Sequence, residues 1–452
     1  LDLAEEEDKK IDILERMGKV NKLLGEYDEA IKILGKLIER SEDIQKKQEI
    51  LGELSEIYFS IGELDEALKR VEEGLSLNDH DEIMNCKLLS VKGRIHVQRR
   101  EYEKAKNIFS EEKEMAERIQ NKKEIAQALH HISTVKINEG NYESALESLN
   151  KAVEIREDIE DRIGLSESLN NLGIVYKRKG ELEKAKKYLK RTLEIIDEIG
   201  KKDSILKTLN NLGIIYKSKG KIDKALEYHK KSFEIGEKIG DKSSTAAALN
   251  NIGYIYQLKG YIDEAIEYYN KALKIGKKID DKNRIALSLN NMGSIYEGEG
   301  ELEKALDHYN QSWNICEDYL ENVPLKVLIQ CGIAEVYLKM DEKDKALSKA
   351  ENALESSRKS EGKKEEGLVH RVLGECYRKK ERFDKAESEL EKALDIFEDL
   401  NNEEEYNKVK FEIGILTNKT DKKRDDEKIR ESLEYFEDHG LEWWAEKCRN
   451  AL

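Results

Sequence analysis

Four pairs of asparagines, Asn170–Asn171, Asn210–Asn211, Asn250–Asn251 and Asn290–Asn291, are the residues of this chain best equipped for recognition chemistry. Each side-chain amide offers two N–H donors and a carbonyl acceptor, which suits it to hydrogen-bond the backbone of an extended ligand. Asparagine is a poor helix former, costing roughly 0.5 kcal/mol against alanine in a helix interior. A set of them at fixed places in a helical pattern therefore needs a reason. Two are open: amides facing a ligand, or an amide ladder joining neighbouring helices. The ladder suits the first asparagine of each pair, which points sideways; for the second the two stand level. Covalent chemistry has no comparable set. No GxxxxGK[ST] phosphate loop, HExxH, GxSxG or CxxC occurs. The chain is expected to be no enzyme and to need no cofactor or metal. His130 and His131 replace one asparagine pair, but neighbours on a helix point about 100° apart and no carboxylate or cysteine is spaced to help them hold a metal.

The pairs lie in LNNLG from Leu169 and Leu209, LNNIG from Leu249 and LNNMG from Leu289, forty residues apart. A tyrosine follows three residues after each glycine (Tyr176, Tyr216, Tyr256, Tyr296), and an alanine nine beyond that (Ala185, Ala225, Ala265, Ala305). Such a period marks a solenoid. Small anchors equivalent to the LNNLG glycine recur at Gly18, Ser55, Gly93, Ser133, Gly173, Gly213, Gly253, Gly293, Ala334, Gly374 and Gly414, spaced 37 to 41 residues apart. A small residue there lets two helix backbones approach closely. Alanine stands twelve residues after each of the first ten anchors, the facing half of the same contact. Seven repeats also put a glycine seven residues after the anchor, from Gly25 to Gly300, where it supplies the left-handed residue that ends a helix. Each unit is thus helix A, a tight turn and helix B. Leu169, Leu172, Gly173 and Tyr176 share one face of helix A, and Leu182, Ala185, Leu189, Leu193 and Ile196 share one face of helix B. Neither stripe is buried alone; stacking the next unit completes the core.

The pattern L-x-x-L-G-x-x-Y, then glycine, then alanine, then Y-Y-x-K-A-L at Tyr268 to Leu273, resembles the tetratricopeptide repeat. It is similar to the longer-helix branch that includes kinesin light chains, the spindle adaptor LGN and bacterial Rap regulators. The resemblance implies an all-α, right-handed superhelical solenoid whose inner groove, lined by A helices, binds peptides or protein segments, and it implies ligand contact for the second asparagine. The family's proline near the end of helix B is missing, so longer B helices and an altered curvature are expected.

Helical geometry points two faces of helix A in opposite directions. One carries the anchor. The other carries the second asparagine of each pair, Asn171, Asn211, Asn251 and Asn291. With them go Ile174, Arg178 and Lys177 in repeat five, and Lys207, Ile214 and Lys217 in repeat six. Repeat seven adds Tyr254, Gln257 and Leu258, beside Ala247, and repeat eight adds Leu287 and Ser294. A basic stretch beside an uncharged one fits a partner with an acidic part next to an apolar part. Repeats nine and ten place Gly332 and Val372 at the second asparagine, so the row ends at repeat eight.

Composition bounds the rest. Charged residues make up 39% and aromatics 7%, with one proline, a helical composition. The net charge of −16 argues against nucleic acid, and an RNA-reading repeat is disfavoured by it and by the period. Residues 166–245 alone carry 19 Lys+Arg against 12 Asp+Glu, a basic middle that is either a docking surface or a solvated face. Five scattered cysteines fit a reducing, cytoplasmic setting, and no apolar run of membrane-spanning length occurs. Residues 1–10 are expected to end an upstream, truncated repeat, residues 11–426 to form ten to eleven repeats, and residues 427–452 to form a helix pair capping the array with Trp443 and Trp444. A scaffold that captures a peptide or protein segment is the leading function. The alternative is the ligand-sensing array of a larger signalling protein, such as a nucleotide-hydrolysing switch. Asn251→Ala separates the two roles of the amides: a ligand-facing residue leaves thermal stability unchanged or slightly higher, whereas a ladder residue costs about 1–3 kcal/mol in urea unfolding by stranding its partner.

Overall fold

The computed structural model describes residues 26–77, 81–200, 202–319, 322–359, 363–420 and 426–452, together with Met17. The anchor Gly18, Gly25 and the upstream helix end expected at residues 1–10 lie outside the described residues. Helix α1 (Tyr27–Arg40) is helix B of the first repeat. Repeats two to four pair α2 (Ile44–Ile61) with α3 (Leu64–Ser76), α4 (Glu82–Gln98) with α5 (Tyr102–Arg118), and α6 (Lys122–Asn138) with α7 (Tyr142–Asp158). Repeats five to eight pair α8 (Arg162–Arg178) with α9 (Leu182–Ile199), α10 (Lys202–Ser218) with α11 (Ile222–Ile239), α12 (Lys242–Leu258) with α13 (Ile262–Lys278), and α14 (Lys282–Gly298) with α15 (Leu302–Tyr319). Then come α16 (Val323–Lys339) with α17 (Lys343–Lys359), α18 (Lys363–Lys379) with α19 (Phe383–Asp399), α20 (Glu403–Thr420) with α21 (Glu427–Asp438), and finally α22 (Glu442–Ala451). The chain is an all-α solenoid of helix–turn–helix repeats, in two compact units: Leu1–Asn171, the first lobe, and Leu172–Leu452, the second.

The anchors do more than let backbones approach. A β-carbon at Gly253 would lie 2.8 Å from the ring of Tyr269 and 3.2 Å from the carbonyl oxygen of Ala265. The space left by the missing side chain is filled by a large residue sixteen positions on. Phe109 meets Gly93 in this way, as do Leu189 with Gly173, His229 with Gly213, Tyr309 with Gly293 and Leu390 with Gly374. The alanines from Ala30 to Ala386 flank these contacts, each 0% exposed.

Turn chemistry repeats with equal regularity. Gly62, Gly140, Gly180, Gly220, Gly260 and Gly300 all have positive φ at the end of helix A. Arg100, Asp341 and Glu381 take the same left-handed conformation in the repeats without that glycine, at φ 57°, 60° and 58°. Such a residue costs about 1–2 kcal/mol, so packing of the flanking helices dictates the turn even where composition resists it. A helices are also capped at their starts. Asp241 accepts from the Ser244 N–H at 2.9 Å, Asp281 from Arg284 at 3.1 Å and Asn322 from Leu325 at 3.2 Å, satisfying donors that no helical carbonyl reaches. All five cysteines are free and buried.

Gly253→Val should therefore cost about 1–3 kcal/mol in urea unfolding, because the tyrosine ring has nowhere to go. Gly35, in α1 with nothing within 4 Å of its missing β-carbon, is the control. Gly35→Ala should instead gain roughly 0.5–1 kcal/mol.

Candidate protein-binding face

The asparagine rows sit on the A helices α8, α10, α12 and α14, and the two members of each pair do different work. Asn210 Oδ1 lies 3.1 Å from His229 Nδ1 on its own helix B. Asn250 is buried, accepts from Ser288 Oγ at 3.1 Å and donates to the Ala246 carbonyl at 3.3 Å. Asn210 and Asn250 thus tie helices together. The second asparagines remain partly exposed. Asn171 donates to Thr134 Oγ1 at 3.4 Å, and Asn211 accepts from Lys177 Nζ at 3.0 Å, both reaching back to the preceding A helix. Asn291 accepts from Asn290 at 3.4 Å, while the Asn290 Oδ1 is buried without a partner. Asn251 makes no hydrogen bond within the chain among the described residues.

In the first lobe, His130 and His131 turn to different neighbours. His131 Nδ1 lies 3.3 Å from Glu112 Oε2 and its Nε2 lies 2.9 Å from Gln127 Nε2, with its ring stacked on Phe109. A carboxylate is therefore placed beside it after all; Glu112 comes from α5, nineteen residues away, and no local spacing announces it. His130 faces Ser168 at 3.5 Å, and burial, with Arg156 and His131 beside it, holds its ring well below the usual histidine value. Arg156 is fully buried and donates to the Gly164 carbonyl at 2.5 Å, Ser168 Oγ at 2.7 Å and Gln127 Oε1 at 2.6 Å. A cavity of about 170 Å³ opens between α2, α4 and α6, lined by Phe59, Arg94, Val97, Phe109, His131 and Thr134 among others.

In the second lobe the A-helix face carries part of the chain itself. Lys217 Nζ is 3.2 Å from Glu404 Oε2, the Tyr254 hydroxyl donates to Glu404 Oε1 at 3.3 Å, and Lys217 lies 4.9 Å from the centre of the Tyr254 ring. Lys408 holds the same carboxylate at 2.7 Å and Glu405 at 2.8 Å. Burial alone would raise the Glu404 carboxyl; the two ammonium groups of Lys217 and Lys408 outweigh it and hold it well below its ordinary range. Leu258 is 3% exposed, within a cluster that includes Phe411, Phe436, Leu441, Ala445 and Cys448. Gly298 lies under the Trp443 ring so closely that a β-carbon would fall inside it. Lys339 Nζ is 2.6 Å from Glu297 Oε1. Residues 427–452, expected as an end cap, lie against the A-helix face of repeats six to eight. Gln257 belongs to the wall: it accepts from the Tyr269 hydroxyl at 3.1 Å and donates to Ser294 at 3.3 Å. Burial, with Arg178 and Lys364 adding, lowers the Lys177 ammonium to about 8. Ile174, Ile214 and Leu287 are half-buried, and Arg178 and Lys207 are exposed.

The inner residues of repeats nine to eleven continue the charged surface. Arg371 donates to Glu335 at 2.9 Å and Arg378 to Glu412 at 3.0 Å. Glu375 stands among them, and burial, then Glu412 and Glu335, push its carboxyl up to about 7. Sequence reasoning missed this network. Apart from Glu335 and Glu375, each next to its anchor, its members fall at differing repeat positions, and charge at a helix surface reads as a solvated face until something covers it.

This is the architecture of a helical-repeat protein with a lined A-helix face. Tetratricopeptide repeat models match residues 124–198, 164–238, 244–318 and 326–399, and a second such model matches residues 12–43. The chain belongs to the tetratricopeptide repeat family. Among solved structures it is similar to a Rap protein complexed with Competence and Sporulation Factor, at TM-score 0.58 and 17% identity over 79% of this chain and 99% of that one. It is similar also to the Rap conjugation gene regulator of plasmid pLS20 in complex with the Phr* peptide, at TM-score 0.53 and 17% identity over 76% and 96%. A signal transduction ATPase with a tetratricopeptide repeat sensor, from Pyrococcus horikoshii, gives TM-score 0.52 and 20% identity over 78% of this chain and 53% of that one. These likenesses are of fold. A comparison with curated protein sequences finds no match. No helix among the described residues is long and apolar enough to cross a membrane.

Glu375 gives the face a pH signature. Its carboxyl titrates near 7 in the fold against 4.5 when unfolded, so the folded state holds the extra proton between those values. Its contribution to stability is complete below the lower value and is lost as pH rises through the higher one. Melting temperatures measured from about pH 5 to 8 should show Glu375→Gln gaining on the wild type as pH rises. Parallel curves would exclude that titration.

Proposed function

We propose that this chain is a protein-interaction scaffold that holds a peptide or partner segment against the A-helix face of repeats five to eight. The observation that carries the reading is unspent amide valence on that face. Asn251 is half-buried without a hydrogen bond among the described residues. A buried or half-buried amide left unpaired is costly, and a ligand backbone passing along the face relieves that cost. The Rap structures named above hold a competence and sporulation factor or a Phr* peptide; a bound peptide in this chain is the corresponding proposal. The same face would serve a ligand-sensing array of a larger switch, as the repeats of the signal transduction ATPase form a sensor.

Arg178, Lys177 and Lys207 favour an acidic partner, and the half-buried Ile174, Ile214 and Leu287 favour apolar side chains next to its charges. A displayed peptide library selected on the full chain tests both halves. Selected peptides should lose about threefold to tenfold in affinity for each of Asn211→Ala, Asn251→Ala and Asn291→Ala. Their affinity should also weaken as salt rises. Binding indifferent to the amides would end the reading, and salt-independent binding would remove the acidic half.

A further inference from the structure

We infer that the A-helix face of repeats six to eight is a site for an acidic–aromatic helical segment, that the chain's own α20 and α22 occupy it, and that a partner of the same chemistry enters by displacing α22. This rests on the binding face proposed above and names what that face recognises.

Three kinds of contact define the occupant. A carboxylate, Glu404, takes the Lys217 ammonium and the Tyr254 hydroxyl at 3.2 and 3.3 Å. Aromatic rings supply the bulk: Trp443 lies flush on the Gly298 backbone, and Trp444 packs against the cluster that holds Tyr216, Ile255 and Leu258. Small turn residues admit both. Glu442 comes within 3.7 Å of the missing side chain of Gly260, and His439 closes over Gly220. These glycines were read from the sequence as helix terminators; they also leave the ends of the A helices flat enough for another helix to lie against.

The seating is imperfect, which makes it exchangeable. Around it, Tyr435 Oη on α21, Glu405 Oε2 on α20 and Arg371 Nε on α18 are buried without hydrogen-bond partners. Lys447, brought in on α22, is desolvated enough that its ammonium is depressed despite the Glu297 carboxylate beside it. A partner that paired those atoms would bind the face better than α22 does. The tether compensates, since a linked segment faces its site at an effective concentration in the millimolar range.

A complementation experiment on the full chain tests this. Trp443→Asp with Trp444→Asp should release α22, and Ala445→Arg, at a fully buried position of the same helix, gives a second route if the first variant misfolds. The probe is a fluorescently labelled synthetic peptide spanning Phe436 to Leu452, followed by anisotropy. The released variants should bind it about a hundredfold more tightly than the wild type, and Gly298→Leu in the released background should abolish binding. Leucine favours the helix at that position, so α14 stays formed. Equal uptake by wild type and released chain, no uptake by either, or uptake that ignores Gly298→Leu would overturn the inference. Library peptides that still depend on the asparagines would then leave the broader reading standing. Uptake of this peptide, with library peptides indifferent to the asparagines, would sink the amide reading alone.

Discussion

Everything in the molecule depends on one contact made again and again: a side chain missing at the anchor of helix A, and a large one sixteen residues later that fills the space. Gly253 with Tyr269 and Gly173 with Leu189 are its plainest instances. It fixes how closely the two helices of a repeat lie and thereby which residues of helix A are left facing away. Asn211, Asn251 and Asn291 each stand two residues before their anchor, so the anchor contact gives each the same orientation relative to its own helix B. The contact is local in sequence, so each repeat can find its own pairing before the stack is complete.

That locality explains how much could be read from sequence. The helix pairs, the alanines, the glycine turns and the A-helix face follow from a period that each repeat restates. The turns at Arg100, Asp341 and Glu381 were not legible, because their residues disfavour the conformation that neighbouring helices impose. The caps at Asp241, Asp281 and Asn322 were in plain view at one fixed distance before their anchors, and a periodic search for polar residues would have found them. For the candidate site, sequence offers a set of positions but says nothing of what covers them. Leu258 clusters with Ile255 of its own helix, and Tyr254 packs beside Ala265 and Tyr269 of its own repeat. What covers them comes from Phe411 and Glu404, some 150 residues downstream in the case of the Tyr254 contact. No period connects such distant partners.

The charged inner surface has a related logic. Charges on the A helices cost little while water reaches them, and a solenoid leaves most of its surface wet. Once α20 and α22 lie over repeats six to eight, the same groups must be paired or neutralised. Lys408 between two glutamates is the paired solution, and the raised Glu375 is the neutralised one. Apolar residues at those places would need no such pairing; ionisable ones leave the packing sensitive to acidity.

One buried sulfur is sealed by this arrangement. Cys448 lies on the hidden side of α22, and burial, with Glu412 beside it, pushes its thiol up to about 12. Covered in this way the sulfur is neither ionised nor reachable, so oxidants and alkylating agents pass it by. Its inertness belongs to the packing of the last helix and not to the thiol itself.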